Sequence, residues 1–485
     1  MLQDKDLLSV QEARILATQA YAAQQKWAKA SQEEVDRVCA AMAEAAFQAS
    51  ERLGRMAHEE TGYGIPEHKK IKNEFASRFL WKSIEQVKTV GVLHYDAERK
   101  IYDIAWPVGT VAALTPSTNP TSTVFAKVLS CIKARDSIVI APHPSAARCS
   151  LEATRLMAQA AVSAGAPEGL ISCFENVSLA GTQELMHHKY VALILATGGT
   201  PMVKAAHSVG KPAYGVGPGN VPVYVDRSAD LQKAARYIVA SKAFDHSTIC
   251  ATEQSVVADR PIAPELARLF EQEGAYFASE EQTSQLRKLL FNPDGSMNTA
   301  SVGKSAQFLA SLAGFSIPSH ARIIVVRLAQ TGESEPLSRE KLTTVLGWYE
   351  EDGWEAGCER SIELIHFGGR GHTQIIHATD ENVIMQYGLE KPVFRILVNT
   401  MGTLGAVGFT TGLMPSMTLG AGGEGGSITG DNVTVHHLYN VKRLAYETAP
   451  PPEAAFRAPS TASAPNAAEI ESLVRQVIQQ ILNQR

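Results

Sequence analysis

Apolar positions recur at helical spacing through the first ninety residues, where Val10 to Ala28 and Gln32 to Gly54 are rich in Ala, Gln, Glu and Arg. Two helices forming a packing layer are predicted there. Beyond them, β-rich runs alternate with helical stretches. The runs are Thr110 to Leu114, Ser137 to Ala141, Val191 to Ala196, Val221 to Asp226, Gln254 to Ala258, Arg322 to Val326 and Gln374 to His377. Ser122 to Ile132, Ala146 to Val162 and Leu231 to Lys242 are helical stretches among them. This alternation predicts an α/β fold with largely parallel sheets. Lys88 to Val108 instead reads as a hairpin around Asp96-Ala97-Glu98-Arg99, an added arm or edge ribbon.

The pattern breaks after Thr448. Residues 450 to 465 carry five prolines and five alanines, which predicts an extended linker. After it, Ile470, Leu473, Val474, Val477, Ile478, Ile481 and Leu482 step by three and one, with Glu471, Arg475, Gln476, Gln479 and Gln480 on the other face. An amphipathic helix is predicted, with Asn466 as N-cap and Glu469 completing a capping box.

A chain of 485 residues predicts two substantial domains. Lys plus Arg total 45 against 50 Asp plus Glu, so the net charge of -5 gives no broad attraction to nucleic acid or anionic lipid. The N-terminus lacks a signal-peptide pattern, which sets an expectation of cytosolic synthesis. Val393 to Met417 contains Arg395 and Asn399 and is broken by glycines, so no membrane span is expected. The six cysteines form no CxxC pair, which argues against a disulfide framework and a metal site.

One thiol sits where chemistry is feasible. Cys250 lies in the turn His246 to Glu253 between a helix ending near Phe244 and a strand, whereas Cys39, Cys131 and Cys149 fall in helical, Ala-rich contexts. Thr115-Pro116-Ser117-Thr118-Asn119-Pro120 joins a strand to a helix with two prolines fixing the turn, leaving the Asn119 amide a rigid donor. Thr197-Gly198-Gly199-Thr200-Pro201 makes a similar junction whose bare backbone suits a diphosphate. No GxGxxG opens a helix after a strand.

In order, these segments resemble the aldehyde dehydrogenase superfamily, and within it the CoA-acylating aldehyde dehydrogenases of bacterial microcompartments, of the propionaldehyde dehydrogenase type. The resemblance runs from Val10 to Thr448 and adds Gly215-Val216-Gly217-Pro218-Gly219-Asn220-Val221-Pro222, Gly368-Gly369-Arg370-Gly371-His372-Thr373 and Gly425 to Asn432. It implies a Rossmann-like cofactor domain (1–224), a catalytic domain (225–424), a return segment (425–449), the linker (450–465) and a terminal helix (466–485), with an oligomerisation β-arm. It also implies departures from the hydrolytic relatives. Gly215 stands at the apparent position of their water-activating glutamate, and Ala141-Pro142-His143-Pro144 lacks their ribose-binding lysine and glutamate.

By that resemblance, Cys250 adds to the aldehyde carbon, Asn119 and a backbone N–H hold the oxyanion, hydride passes to NAD, and coenzyme A takes the acyl group. Thr115, Pro116, Pro142, His143, Gly198, Gly199, Thr200, Gly217, Pro218 and Gly219 would line the nucleotide site, and Glu340 would position the nicotinamide ribose. A surface carboxylate at a helix start is the plainer reading of Glu340. The expected substrate is propionaldehyde, then acetaldehyde, as in 1,2-propanediol metabolism; a homo-oligomer is expected. Residues 466–485 resemble an encapsulation peptide that binds shell or cargo proteins, which implies a cytoplasmic enzyme within a microcompartment. A hydrolytic aldehyde dehydrogenase and an inactive scaffold are the alternatives.

Overall fold

A computed structural model describes residues 4–456 and 465–483. Three sheets organise the described residues. The first has five parallel strands in the order β5-β4-β3-β6-β7: β3 (Thr110–Thr115), β4 (Ser137–Pro142), β5 (Ile171–Cys173), β6 (Val191–Thr197) and β7 (Ala213–Val216). The second has seven parallel strands in the order β10-β11-β12-β9-β8-β13-β14: β8 (Val221–Val225), β9 (Glu253–Asp259), β10 (Ala275–Phe277), β11 (Ile323–Arg327), β12 (Val345–Glu351), β13 (Gln374–His377) and β14 (Ile396–Val398). Helices cover both, so β3, β4, β8 and β9 are buried along their whole length; the apolar runs of β3, β4 and β8 suit this, while β9 also buries Glu253, Gln254, Ser255 and Asp259.

The predicted arm is present. β1 (Val92–Asp96) and β2 (Ile101–Pro107) form an antiparallel hairpin, and β15 (Tyr439–Ala445) pairs with β2 within the same chain. The Asp96 carboxylate accepts the Arg99 N–H at 2.9 Å and closes the turn. The return segment thus reaches the first half of the molecule through β15, and the Thr418 and Thr197 hydroxyls, 3.4 Å apart, make a further contact between the halves.

Two expectations shift. The helix expected over Gln32 to Gly54 is two, Gln32–Gln48 and Ser50–Thr61, interrupted at Ala49; the Asn73 amide donates to the Ser50 carbonyl at 3.0 Å. The expected boundary after residue 224 falls inside β8, a central strand of the second sheet, so the sheets join through residues 217–220. Of the expected linker, Glu453–Phe456 forms a 3-10 turn, and residues 457–464 lie outside the described residues. The terminal helix spans Ala467–Leu482 with the Asn466–Glu469 capping box formed, and its seven apolar side chains are 49–66% exposed. Among the described residues, no helix is long and apolar enough to cross a membrane, and no cluster of His, Cys, Asp and Glu is arranged to hold a metal.

Candidate active site

The carboxyl ends of β3, β4, β6 and β7 lie side by side, with Thr115 paired to Pro142 and Thr197 to Val216. The strand order reverses between β3 and β6, and ligands of open parallel sheets bind at such a crevice. Thr115, Pro116, Pro142, His143, Gly198, Gly199 and the backbone of Thr200 all fall at this edge. The Thr115 hydroxyl is buried without a partner, and a Cβ at Gly198 or Gly199 would meet nothing nearer than 3.7 Å. A nucleotide's polar groups and close backbone approach fit both features. His143 is exposed; its Nδ1 accepts the Ser145 N–H at 3.2 Å, which puts the proton of the neutral ring on Nε2.

The second sheet presents its amino ends to this crevice. Gly219, Cys250, Glu340 and His372 lie in the segments leading into the adjacent strands β8, β9, β12 and β13. Cys250 Sγ is 3.2 Å from His372 Nε2, and His372 Nδ1 is 2.9 Å from the Thr373 hydroxyl. With Nδ1–H donating to Thr373, Nε2 is free to accept the thiol proton. Burial, then the Glu340 carboxylate, push the Cys250 thiol up to about 12, while Arg395 and the backbone N–H groups of Cys250 and Ala251 oppose them. Burial and Arg395 push His372 down to about 3. The resting pair is therefore neutral thiol and neutral imidazole. Cys39, Cys131 and Cys149 are buried and their thiols are pushed up by burial, as structural cysteines should be.

Gly219 is fixed by close approach. A Cβ there would overlap the Cys250 carbonyl oxygen and stand 3.1 Å from His372 Nδ1. Its N–H donates to Glu340 Oε1 at 2.9 Å, and burial pushes that carboxyl up to about 7. Glu340 is thus a partly buried site residue in an irregular segment, contrary to the surface-carboxylate reading. Gly217 has open space where a Cβ would project, whereas Gly215 does not. A Cβ at Gly215 would meet His207 Nε2 at 2.5 Å and Val203 Cγ1 at 2.6 Å. A side chain at residue 215, where the hydrolytic relatives' glutamate is expected to align, would therefore have to displace the His207 and Val203 side chains of the helix Thr200–His207.

The segment before Cys250 is strained. Asp245, His246 and Ser247 have φ of 48°, 50° and 67°, a left-handed run costing about 1–2 kcal/mol per residue. Asp245 anchors it: its Oδ1 accepts the Ile65 N–H at 2.7 Å, and its Oδ2 accepts the Thr248 hydroxyl at 2.6 Å and pairs with Lys69 at 3.1 Å and with Lys72. Burial alone would raise the Asp245 carboxyl, but the two lysines hold it below the usual range. Asn119 reaches this segment, its Nδ2 donating to the Thr248 carbonyl at 3.0 Å.

Sequence reading missed His372, Lys72, Asp245 and Arg395 as site residues. His372 lay inside the glycine-rich run already singled out, and that was its available signal. Arg395 donates to the His372 carbonyl at 2.6 Å and to Asn432 Oδ1 at 2.7 Å, tying the return segment to the site. Next to Ile249, the neighbour of the thiol, a small cavity of about 10 Å³ is lined by Lys72 and by apolar side chains that include Ile71, Phe75, Leu404 and Phe409.

Comparison with known proteins agrees with this geometry. The profile described as "Aldehyde dehydrogenase family" matches residues 5–279. A solved acetylating aldehyde dehydrogenase from Geobacillus thermoglucosidasius is 48% identical, with a TM-score of 0.92 over 93% of this chain and 100% of that one. A Rhodopseudomonas palustris propionaldehyde dehydrogenase, solved with bound CoA and an acylated cysteine, is 29% identical, with a TM-score of 0.81 over 90% and 97% of the two chains. Succinate-semialdehyde dehydrogenase (acetylating) of Clostridium kluyveri is 37% identical over 89% of this chain and 95% of its own. Aldehyde-alcohol dehydrogenase 2 of Entamoeba histolytica is 40% identical over 86% of this chain but 49% of its own, so the chain spans about half the length of such curated relatives. The chain belongs to the aldehyde dehydrogenase family, in its CoA-acylating branch.

Proposed function

We propose that this chain oxidises a short-chain aldehyde, propionaldehyde first and acetaldehyde next, with NAD and coenzyme A to give acyl-CoA and NADH. The observation that carries the reading is the Cys250–His372 contact at 3.2 Å, set beside Asn119 and the cavity lined by Lys72 and apolar side chains. The resting sulfur is protonated, so its proton moves to His372 Nε2 as the sulfur adds to the carbonyl carbon. Asn119 Nδ2 and the Cys250 backbone N–H are the donors for the oxyanion that forms. NAD, when bound, supplies the hydride acceptor. Glu340 orients the ribose beside it, and the acyl group is left as a thioester on Cys250. A thiol attacks a thioester without a dedicated water-activating base, and Gly219, not a carboxylate, backs the Cys250 carbonyl.

The mostly apolar walls suit a short alkyl chain, and Lys72 is the charged group on them that a carboxylate such as that of the Clostridium kluyveri relative's named substrate would meet. Initial rates with acetaldehyde, propionaldehyde, butyraldehyde and succinate semialdehyde, with and without CoA, test the reading. CoA-dependent turnover favouring the two- and three-carbon aldehydes supports it; preference for the charged aldehyde or CoA-independent turnover overturns it. We further propose a homo-oligomer, since the arm exposes Val92, Tyr95, Trp106, Val441 and Leu444 and, among the described residues, its outer strands β1 and β15 have free edges. The exposed terminal helix supports a role as an encapsulation peptide in a microcompartment, the setting from which a 28% identical propionaldehyde dehydrogenase of Clostridium phytofermentans comes.

A further inference from the structure

We propose that Lys72 is the positioning residue for the Asn119 amide, holding it turned so that its N–H groups face the Cys250 loop. The inference rests on the proposed role of Asn119 as oxyanion donor. A side-chain amide is nearly the same shape either way round, so its orientation is set only by which neighbours donate and which accept. As an ammonium, Lys72 Nζ can only donate, and it lies 2.5 Å from Asn119 Oδ1; burial pushes Lys72 down to about 7 against the opposing pull of Asp245. The Thr248 carbonyl can only accept, and it lies 3.0 Å from Asn119 Nδ2. Both contacts select the same orientation, the one a developing oxyanion on the Cys250 side needs.

Lys72 is itself held on the site side. Its Nζ donates to Asp245 Oδ2 and, at 3.2 Å, to the Thr248 hydroxyl. Lys72 and Asp245 are almost wholly buried, and Lys69 shares the same carboxylate oxygen at 3.1 Å. The helix Pro66–Glu74 therefore reaches across to the strained segment before the nucleophile and couples it to the oxyanion donor. An ammonium on Oδ1 also polarises the amide and strengthens its N–H groups as donors. Proton transfer and thiol attack remain with His372 and Cys250; Lys72 acts through Asn119 alone.

A double-mutant cycle tests this. Lys72→Met leaves Asp245 paired with Lys69, so no uncompensated buried carboxylate remains. Two readouts are taken in the Lys72→Met, Asn119→Ala and doubly substituted full-length proteins: kcat and KM for propionaldehyde, and acylation of Cys250 by p-nitrophenyl acetate. The ester passes through an oxyanion on Cys250 but needs neither NAD nor CoA, so it reports on Lys72 even if the CoA-acylating reading fails. Lys72→Met is expected to lower kcat and the acylation rate about 10- to 100-fold with KM little changed. In the Asn119→Ala background the same change should cost nothing further. A full rate in Lys72→Met, or an equal loss in both backgrounds, would overturn the proposal. Should Lys72→Met not fold, Lys72→Gln keeps a hydrogen-bonding group beside Asp245 and takes its place in the cycle, where the same two results would overturn the proposal.

Discussion

Adding one methyl group at Gly219 should lower kcat and stability together, whereas the same change at Gly217, which the family resemblance places along the nucleotide site, should leave stability and kcat intact and act only on KM for NAD. A Cβ on Gly219 would overlap the Cys250 carbonyl oxygen, lie 3.0 Å from its carbonyl carbon and 3.1 Å from His372 Nδ1; a Cβ on Gly217 has nothing within 4 Å. The obstacle is backbone rather than a flexible side chain, so either strand entry must move by about 1 Å to restore ordinary contact. A misplacement of that size costs about 10²-fold in rate, equivalent to about 2.7 kcal/mol in the barrier. Overpacking adds about 1–3 kcal/mol of lost stability. Gly219 also donates to Glu340, so KM for NAD should rise together with the fall in kcat. The assay is steady-state NADH formation with aldehyde, NAD and CoA for Gly217→Ala and Gly219→Ala, with thermal denaturation alongside. Wild-type turnover in Gly219→Ala, or an equal loss in both variants, would refute the reasoning.

Asn119→Ala should lower kcat about 10²- to 10³-fold if its amide holds the oxyanion, and unchanged turnover would remove that role. Burial pushes Glu340 up to about 7 from an ordinary value of 4.5, so its contribution to stability is full below about pH 4.5 and is lost as pH rises through 7. Urea denaturation should show Glu340→Gln to be less sensitive than wild type across that window, by at most about 3 kcal/mol; Glu253, pushed up to about 7 by burial in the same way, leaves a residual slope in both. Removing residues 450–485 should preserve CoA-dependent activity and abolish co-localisation with shells, while residues 466–485 should carry a fluorescent protein inside; a diffuse fusion would speak against the tail's proposed role.

The long strands were readable because a parallel strand buried on both faces must be an apolar, β-branched run, and β4, β6, β8, β11 and β13 match their runs to within one or two residues. The strands β5, β7, β10 and β14, three or four residues each, are too short to show a period. The break at Ala49 was invisible because Ala, Gln and Glu favour continuing the helix; what accompanies it is the amide of Asn73, a residue from a later helix. Cys250 and Asn119 were assigned by the order of spaced motifs that resembles the family, since their local turns alone left a buried structural thiol and a plain strand-to-helix connection open. Lys72 meets Asp245 across 173 positions of sequence, a pairing that only the fold creates, and neither residue stands out in its own segment. The crowding of Gly215 by His207 and Val203 is likewise a product of the packing that its motif did not show.

Mass analysis of the Cys250 peptide tests the central claim most directly. The protein is quenched after reaction with propionaldehyde and NAD without CoA, and again after CoA is added. The account predicts a propionyl thioester on Cys250 in the first sample, with one NADH formed per site, and its loss in the second with a matching yield of propionyl-CoA. Continued NADH formation and free propionate without CoA, with Cys250 unmodified, would contradict it.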